Sequence, residues 1–280
     1  MPCRGVGGGH VPVPYPEPTK TMVRSPLIIW LHGLGDTGRG WNHLKHELRL
    51  PQAVRYAFPD APDAPVTCNG GYVMTSWMDL ETIPIGNGLP DDAKGLADST
   101  QIIHALIDAE VAKGTASEDI VLGGFSQGGA MALLAGYSYA KRLAGVACLS
   151  GWPSLRALCW LGWRVRRRRS RCGGVSRRAA VGARGRRRQR GHAALHRPRH
   201  AGASCCPRVA RCEDALFTVV ARAQDGVVLP ECGKDAAERH TAAGVQVTFL
   251  DYPAAHGPHP AGMAALRSWA LEALKLEDDE

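Results

Sequence analysis

IVLGGFSQGGAMALLAGY, residues 120–137, decides how the rest of the chain is read. Residues 120–123 form a short apolar run, the pattern of a strand buried on both faces of a sheet. Residues 131–139 return to helical character. Between them stands Gly124-Phe125-Ser126-Gln127-Gly128, a G-x-S-x-G sequence with a strand before it and a helix after it. That context puts Ser126 on a sharp strand-to-helix turn, the arrangement of an activated nucleophile. Gly124 and Gly128 carry no Cβ, so strand and helix can approach closely. The helix N-terminus beside the serine favours negative charge as it develops.

Outward from this turn the chain alternates strands and helices. Leu27–Leu31 (LIIWL) is a strand, residues 54–58 a weaker one, 92–113 a helix and Gly145–Leu149 a further strand. Beyond residue 213 the pattern resumes with a strand at 216–220, a helix at 234–243 closed by Gly244, a strand at 245–250 and a helix at 260–276. Strands alternating with helices predict an α/β fold, a mostly parallel sheet covered on both faces. The acidic end, residues 277–280, is expected to fray.

A serine hydroxyl needs a base, and the base needs an orienting acid. In this arrangement the acid and then the histidine follow the nucleophile in the chain. His256 lies in a loop directly after the strand at 245–250 and is preferred over His259. His240, inside a helix, is expected to face solvent. Asp225 follows the strand at 216–220 and is preferred as the acid over Glu231, Asp235 and Asp251. The oxyanion needs two N–H donors. His32-Gly33-Leu34-Gly35-Asp36 follows the first strand, which nominates the amides of Leu34 and Gln127.

The formal charge of +8 belongs to one block. Eighteen of the 27 arginines fall between Arg156 and Arg211, with no lysine among them, and without them the charge becomes −10. The chain divides into a flexible N-terminal segment at 1–21, an α/β part at 22–153, an Arg-rich block at 154–212 and a second α/β part at 213–280. The block contains few of the β-branched or large apolar residues that a core needs and is expected to be disordered. No apolar run approaches the roughly 18–20 residues of a membrane span, and residues 1–21 hold no signal-peptide core. The nine cysteines form no repeated spacing and read as reduced thiols. A soluble, cytosolic protein is the expectation.

Four segments together resemble the acyl-protein thioesterase and carboxylesterase family, also called lysophospholipase-like, its plant-type members most of all. They are LIIWLHGLGDTG (27–38), FPDAPDAPVTCNGGYVMTSWMDL (58–80), GGFSQGGAMAL (123–133) and LPECGKDAAERHTAAGVQVTFLDYPAAH (229–256). The resemblance covers about residues 22–152 and 223–275. It implies an α/β-hydrolase fold and a serine hydrolase that removes fatty acyl groups from protein cysteines or cleaves small esters. It carries Ser126, Asp225 and His256 over as the triad and Leu34 and Gln127 as oxyanion donors. It needs no metal or organic cofactor, and it suggests Trp77 and Trp152, each equally readable as a core aromatic, beside the acyl group. Its partners would be an acylated protein or a small ester.

Two departures stand out. Ala221 and Arg222 occupy the positions where the family carries His-Gly ahead of the acid. The connection from Trp152 to Asp225 is also longer than the family's, and residues 154 to about 222 read as a retained intron or a frame-shifted translation, so the alternative expectation is a catalytically impaired chain. Two competing readings fall on the same block. An Arg-rich insertion could bind nucleic acid, although no Phe or Tyr is interleaved for stacking. His196, His200, Cys205, Cys206 and Cys212 lie close together, but their spacing matches no standard zinc pattern.

Overall fold

The structure, a computed structural model, describes residues 24–154 and 216–278. The expectations for residues 1–21 and for the Arg-rich block beyond Ser154, including its nucleic-acid and zinc readings, lie outside the described residues.

Eight strands are described: β1 (Leu27–Leu31), β2 (Arg55–Ala57), β3 (Asp63–Val66), β4 (Tyr72–Thr75), β5 (Ile120–Phe125), β6 (Gly145–Leu149), β7 (Leu216–Arg222) and β8 (Gln246–Tyr252). Five α-helices accompany them: α1 (Leu44–Leu48), α2 (Ala93–Ala112), α3 (Gln127–Ser138), α4 (Pro230–Ala242) and α5 (Pro260–Leu274). Among the described residues the central sheet has six strands in the order β2-β1-β5-β6-β7-β8, every pairing parallel. Parallel strands need covered faces, and side chains alternate along them. Leu27, Ile29 and Leu31 pack with α2, α3 and α4 on one face. Ile28 and Trp30 pack with α1 and α5 on the other.

Most predicted elements are present, with shifted ends. The strand expected at 120–123 runs to Phe125, and the helix expected from 131 begins at Gln127. Gly128 and Gly129 hide that first turn, because glycine is a poor helix former. The helix expected from 234 begins at Pro230, where proline needs no N–H partner. Asp92 caps α2 by accepting from the Lys94 and Gly95 amides. The β3–β4 hairpin was not anticipated, since β3 contains a proline and β4 leaves Tyr72 and Val73 exposed.

Two expectations are corrected. His240 does not face solvent: it is fully buried in α4, with Nδ1 2.6 Å from the Ala236 carbonyl and its ring 5.0 Å from that of Tyr137. At the acidic end Asp278 is tied down, its carboxylate taking two hydrogen bonds from Arg267, while residues 279–280 lie outside the described residues. Among the described residues Cys68, Cys148 and Cys232 are free thiols, in keeping with the reduced reading. Burial pushes the Cys148 thiol up to about 12. No described helix is long and apolar enough to cross a membrane.

Candidate active site

β5 delivers Ser126 to the C-terminal edge of the sheet, where ligands bind in open α/β folds. The serine sits at φ 54°, ψ −120°, a left-handed backbone that costs a side-chain-bearing residue about 1–3 kcal/mol. Hydrogen bonds hold it there: its N–H donates to the Leu149 carbonyl at 2.8 Å, and its own carbonyl accepts from the Ala130 N–H at 3.1 Å. The turn is possible only because the chain closes on itself at two glycines. A Cβ on Gly124 would lie 2.3 Å from the Gly128 carbonyl oxygen, and one on Gly128 2.2 Å from that of Leu31. The serine hydroxyl makes no hydrogen bond among the described residues.

Asp225 and His256 are brought together by neighbouring strands. β7 pairs with β8 so that Arg222 stands opposite Tyr252, which places the two following loops side by side. Backbone bonds from Ala223 to Tyr252 and from Gln224 to Ala254 tie these loops. The Asp225 carboxylate is 4% exposed. Its Oδ1 accepts from the amides of Val227 and Val228, both at 2.9 Å, and its Oδ2 lies 2.7 Å from His256 Nδ1. A carboxylate can only accept, so Nδ1 carries the proton and Nε2 is left basic. The His256 ring packs at 4.7 Å on Phe125, the residue before the serine.

The competitors for these roles are placed elsewhere. Asp235 sits inside α4 and pairs with Arg239. Glu231 is in the first turn of the same helix. Asp251 is exposed on β8. His259 occupies the N-cap position of α5 without a side-chain capping bond, and its ring stacks on Tyr252.

The loop that carries Leu34 passes beside Ser126, the residue before Gln127. A Cβ built on Gly33 would fall 3.5 Å from Ser126 Cβ, so the loop carrying Leu34 runs beside the nucleophile. The Gln127 amide opens α3, and neither it nor the Leu34 amide is engaged in a hydrogen bond among the described residues. His32, which the sequence reading passed over, anchors this loop. Its Nε2 accepts from the Ala61 N–H at 2.9 Å, so Nδ1 is protonated and donates to the Gly33 carbonyl at 2.7 Å. A polar residue at the end of an apolar strand was the available signal.

The two tryptophans part company. Trp77 is fully buried in the core. Trp152 lines a cavity of about 120 Å³ together with Leu80, Ile85, Leu89, Asp235 and Arg239. Ala221, in place of the family's histidine, is buried against α4, where a Cβ on Gly233 would approach it to 2.7 Å.

The sequence profile of phospholipase/carboxylesterase proteins matches residues 19–159. The chain belongs to the phospholipase/carboxylesterase family. Its fold is that of the α/β hydrolases. The chain is 41% identical over 142 residues to a probable carboxylesterase of Oryza sativa subsp. japonica, Os04g0669500, a match covering 50% of this chain and 53% of that protein. It is 42% identical over 136 residues to a probable inactive carboxylesterase of the same plant, Os04g0669700, covering 48% and 56%. The chain thus spans about half the length of the curated relatives it matches. The crystal structure of Arabidopsis thaliana SOBER1 superposes with a TM-score of 0.69 at 26% identity, covering 89% of this chain and 99% of that one.

Proposed function

We propose that this phospholipase/carboxylesterase family member is a serine hydrolase that cleaves carboxylic esters or thioesters of acyl groups. One observation carries the reading: Ser126 is held at a strained positive φ while His256 Nδ1 is locked on Asp225 at 2.7 Å, leaving Nε2 basic. In this mechanism Ser126 Oγ attacks the acyl carbonyl as His256 Nε2 takes its proton. The amides of Leu34 and Gln127 receive the oxyanion. His256 returns the proton to the departing alcohol or thiol, and then activates the water that frees the acid from Ser126. The substrates are small esters or acylated protein cysteines in the cytoplasm, with Trp152 beside the acyl group.

A second reading is a chain that keeps the scaffold without turnover. It draws on the Ser126 hydroxyl, which makes no hydrogen bond among the described residues, and on Ala221 and Arg222 standing where the family carries His-Gly. Labelling with a fluorophosphonate decides between them. The folded chain should be labelled and Ser126→Ala should not. A folded chain that resists the probe, or equal labelling of both proteins, overturns the hydrolase reading.

A further inference from the structure

Gln127 and Trp77 stand fifty positions apart, yet each is 1% exposed and the Gln127 side chain is bonded directly to the Trp77 backbone. The Gln127 carboxamide is fully engaged. Its Oε1 accepts from the Trp77 N–H at 2.9 Å, and its Nε2 donates to Ser76 Oγ at 2.9 Å and to the Met78 carbonyl at 2.8 Å. The far end of Trp77 reaches the other side of the site, where its indole Nε1–H donates to the His32 carbonyl at 3.0 Å. Ser99 Oγ, on α2, donates to the Trp77 carbonyl and holds the residue from behind.

Trp77 therefore bridges two elements that are remote in sequence. Its backbone is clamped by the first residue of α3, whose N–H is one oxyanion donor. Its ring is clamped by the loop that presents Leu34, the other donor. The loop has a second anchor on the hairpin, where the Gly35 N–H donates to the Thr75 carbonyl at 2.9 Å and Thr75 Oγ1 donates to the Asp36 carbonyl at 2.5 Å. Leu34 is thus flanked on both sides by fixed backbone while its own N–H stays available.

We propose that the Gln127 side chain and Trp77 form a buried strut that sets the separation of the Leu34 and Gln127 amides, making both of them positioning residues for the oxyanion. The inference rests on the serine-hydrolase reading and extends it to how the donors are held. Its physical ground is preorganisation: donors help only if they already point at the site of developing charge. A strut buried in the core, with its polar atoms satisfied, keeps them there at no cost during the reaction. Gln127 also has two separate duties, its backbone N–H facing the oxyanion and its carboxamide facing Trp77.

The test compares the full-length chain with Trp77→Phe, which removes the indole N–H and retains an aromatic ring. Trp30→Phe is the control. Trp30 is equally buried, but it lies in the opposite core layer and its Nε1 has no partner among the described residues. Each protein is assayed on a short-chain nitrophenyl ester. Each is also titrated with an alkylboronic acid, which becomes a tetrahedral anion on the serine, and with the planar alkyl carboxamide of the same length. For Trp77→Phe the expected result is a kcat at least about tenfold lower with KM within about twofold, and boronate affinity about tenfold weaker with carboxamide affinity unchanged. Trp30→Phe should lower the melting temperature and leave the boronate-to-carboxamide ratio alone.

A Trp77→Phe protein with wild-type boronate affinity overturns the strut, as does one that loses both ligands equally or a Trp30→Phe protein with the same altered ratio. If Trp77→Phe does not fold, Ser76→Ala carries the test, because it deletes one acceptor of the Gln127 carboxamide. There an unchanged boronate-to-carboxamide ratio overturns the proposal, and a selective loss of boronate affinity supports it. A wild-type chain that neither turns over the ester nor binds the boronate overturns the hydrolase reading itself, and the strut with it.

Discussion

Ser126, Asp225 and His256 show how the site's chemistry depends on which atoms are already occupied. Asp225 spends one oxygen on two backbone amides and the other on the His256 ring, so the carboxylate cannot turn away and the tautomer of the imidazole is set. Asp225→Asn should retain the two amide bonds through its carbonyl oxygen. It would present an N–H to His256 Nδ1, drive the proton to Nε2 and remove the base. The expected loss in kcat on a nitrophenyl ester is on the order of 10⁴-fold, with a melting temperature near wild type. Steady-state rates and a thermal scan on the same sample check both halves. The placing of Ser126 on the strand-to-helix turn and of Asp225 and His256 in loops after strands was legible in the sequence, because a serine between glycines and polar residues just after strands are local patterns. The buried roles of His32, Ser76 and the Gln127 side chain were not. Each depends on a partner from a distant segment, and no spacing rule records it.

The elbow is the element on which the site depends. β5 and α3 meet at backbone contact distance, and the Gly128 position faces the Leu31 and His32 carbonyls of the neighbouring strand end. In Gly128→Ala the added methyl would meet backbone, not a flexible side chain, so strand and helix must separate. Destabilisation of about 3 kcal/mol or more is expected from overpacking of this kind. The urea midpoint should fall accordingly, and fluorophosphonate labelling should drop even where the variant stays folded. The long elements could be read from apolar periodicity, since their burial is continuous. The β3–β4 hairpin and the five-residue α1 could not. They are too short for a periodic pattern to emerge, and the hairpin's position is tied to a distant loop, as when Thr75 holds the Asp36 carbonyl.

At the scale of the whole molecule, two apolar layers enclose one sheet, and His240 lies buried between α4 and Tyr137 of α3. Desolvation lowers its pKa below 6.5, outweighing the Ala236 carbonyl and the Asp235 carboxylate, which pull upward. The unfolded chain therefore takes a proton at this position at higher pH than the folded chain does. Its contribution is intact above about pH 6.5 and is lost as the pH falls below that value. The melting temperature of the wild type should consequently fall more steeply between pH 7.5 and 5 than that of His240→Gln. Parallel slopes would show that another group sets acid stability. The amino-acid sequence by itself determined the alternation of strands and helices, the covered parallel sheet and the residue types of the site, because apolar periodicity and turn chemistry act over a few positions. The tertiary structure decided the strand order that sets Asp225 beside His256, the burial of His240 and the bridge from Gln127 through Trp77 to His32. These are meetings of segments far apart in the chain, and only the packing of the complete sheet and its two helical layers brings them into contact.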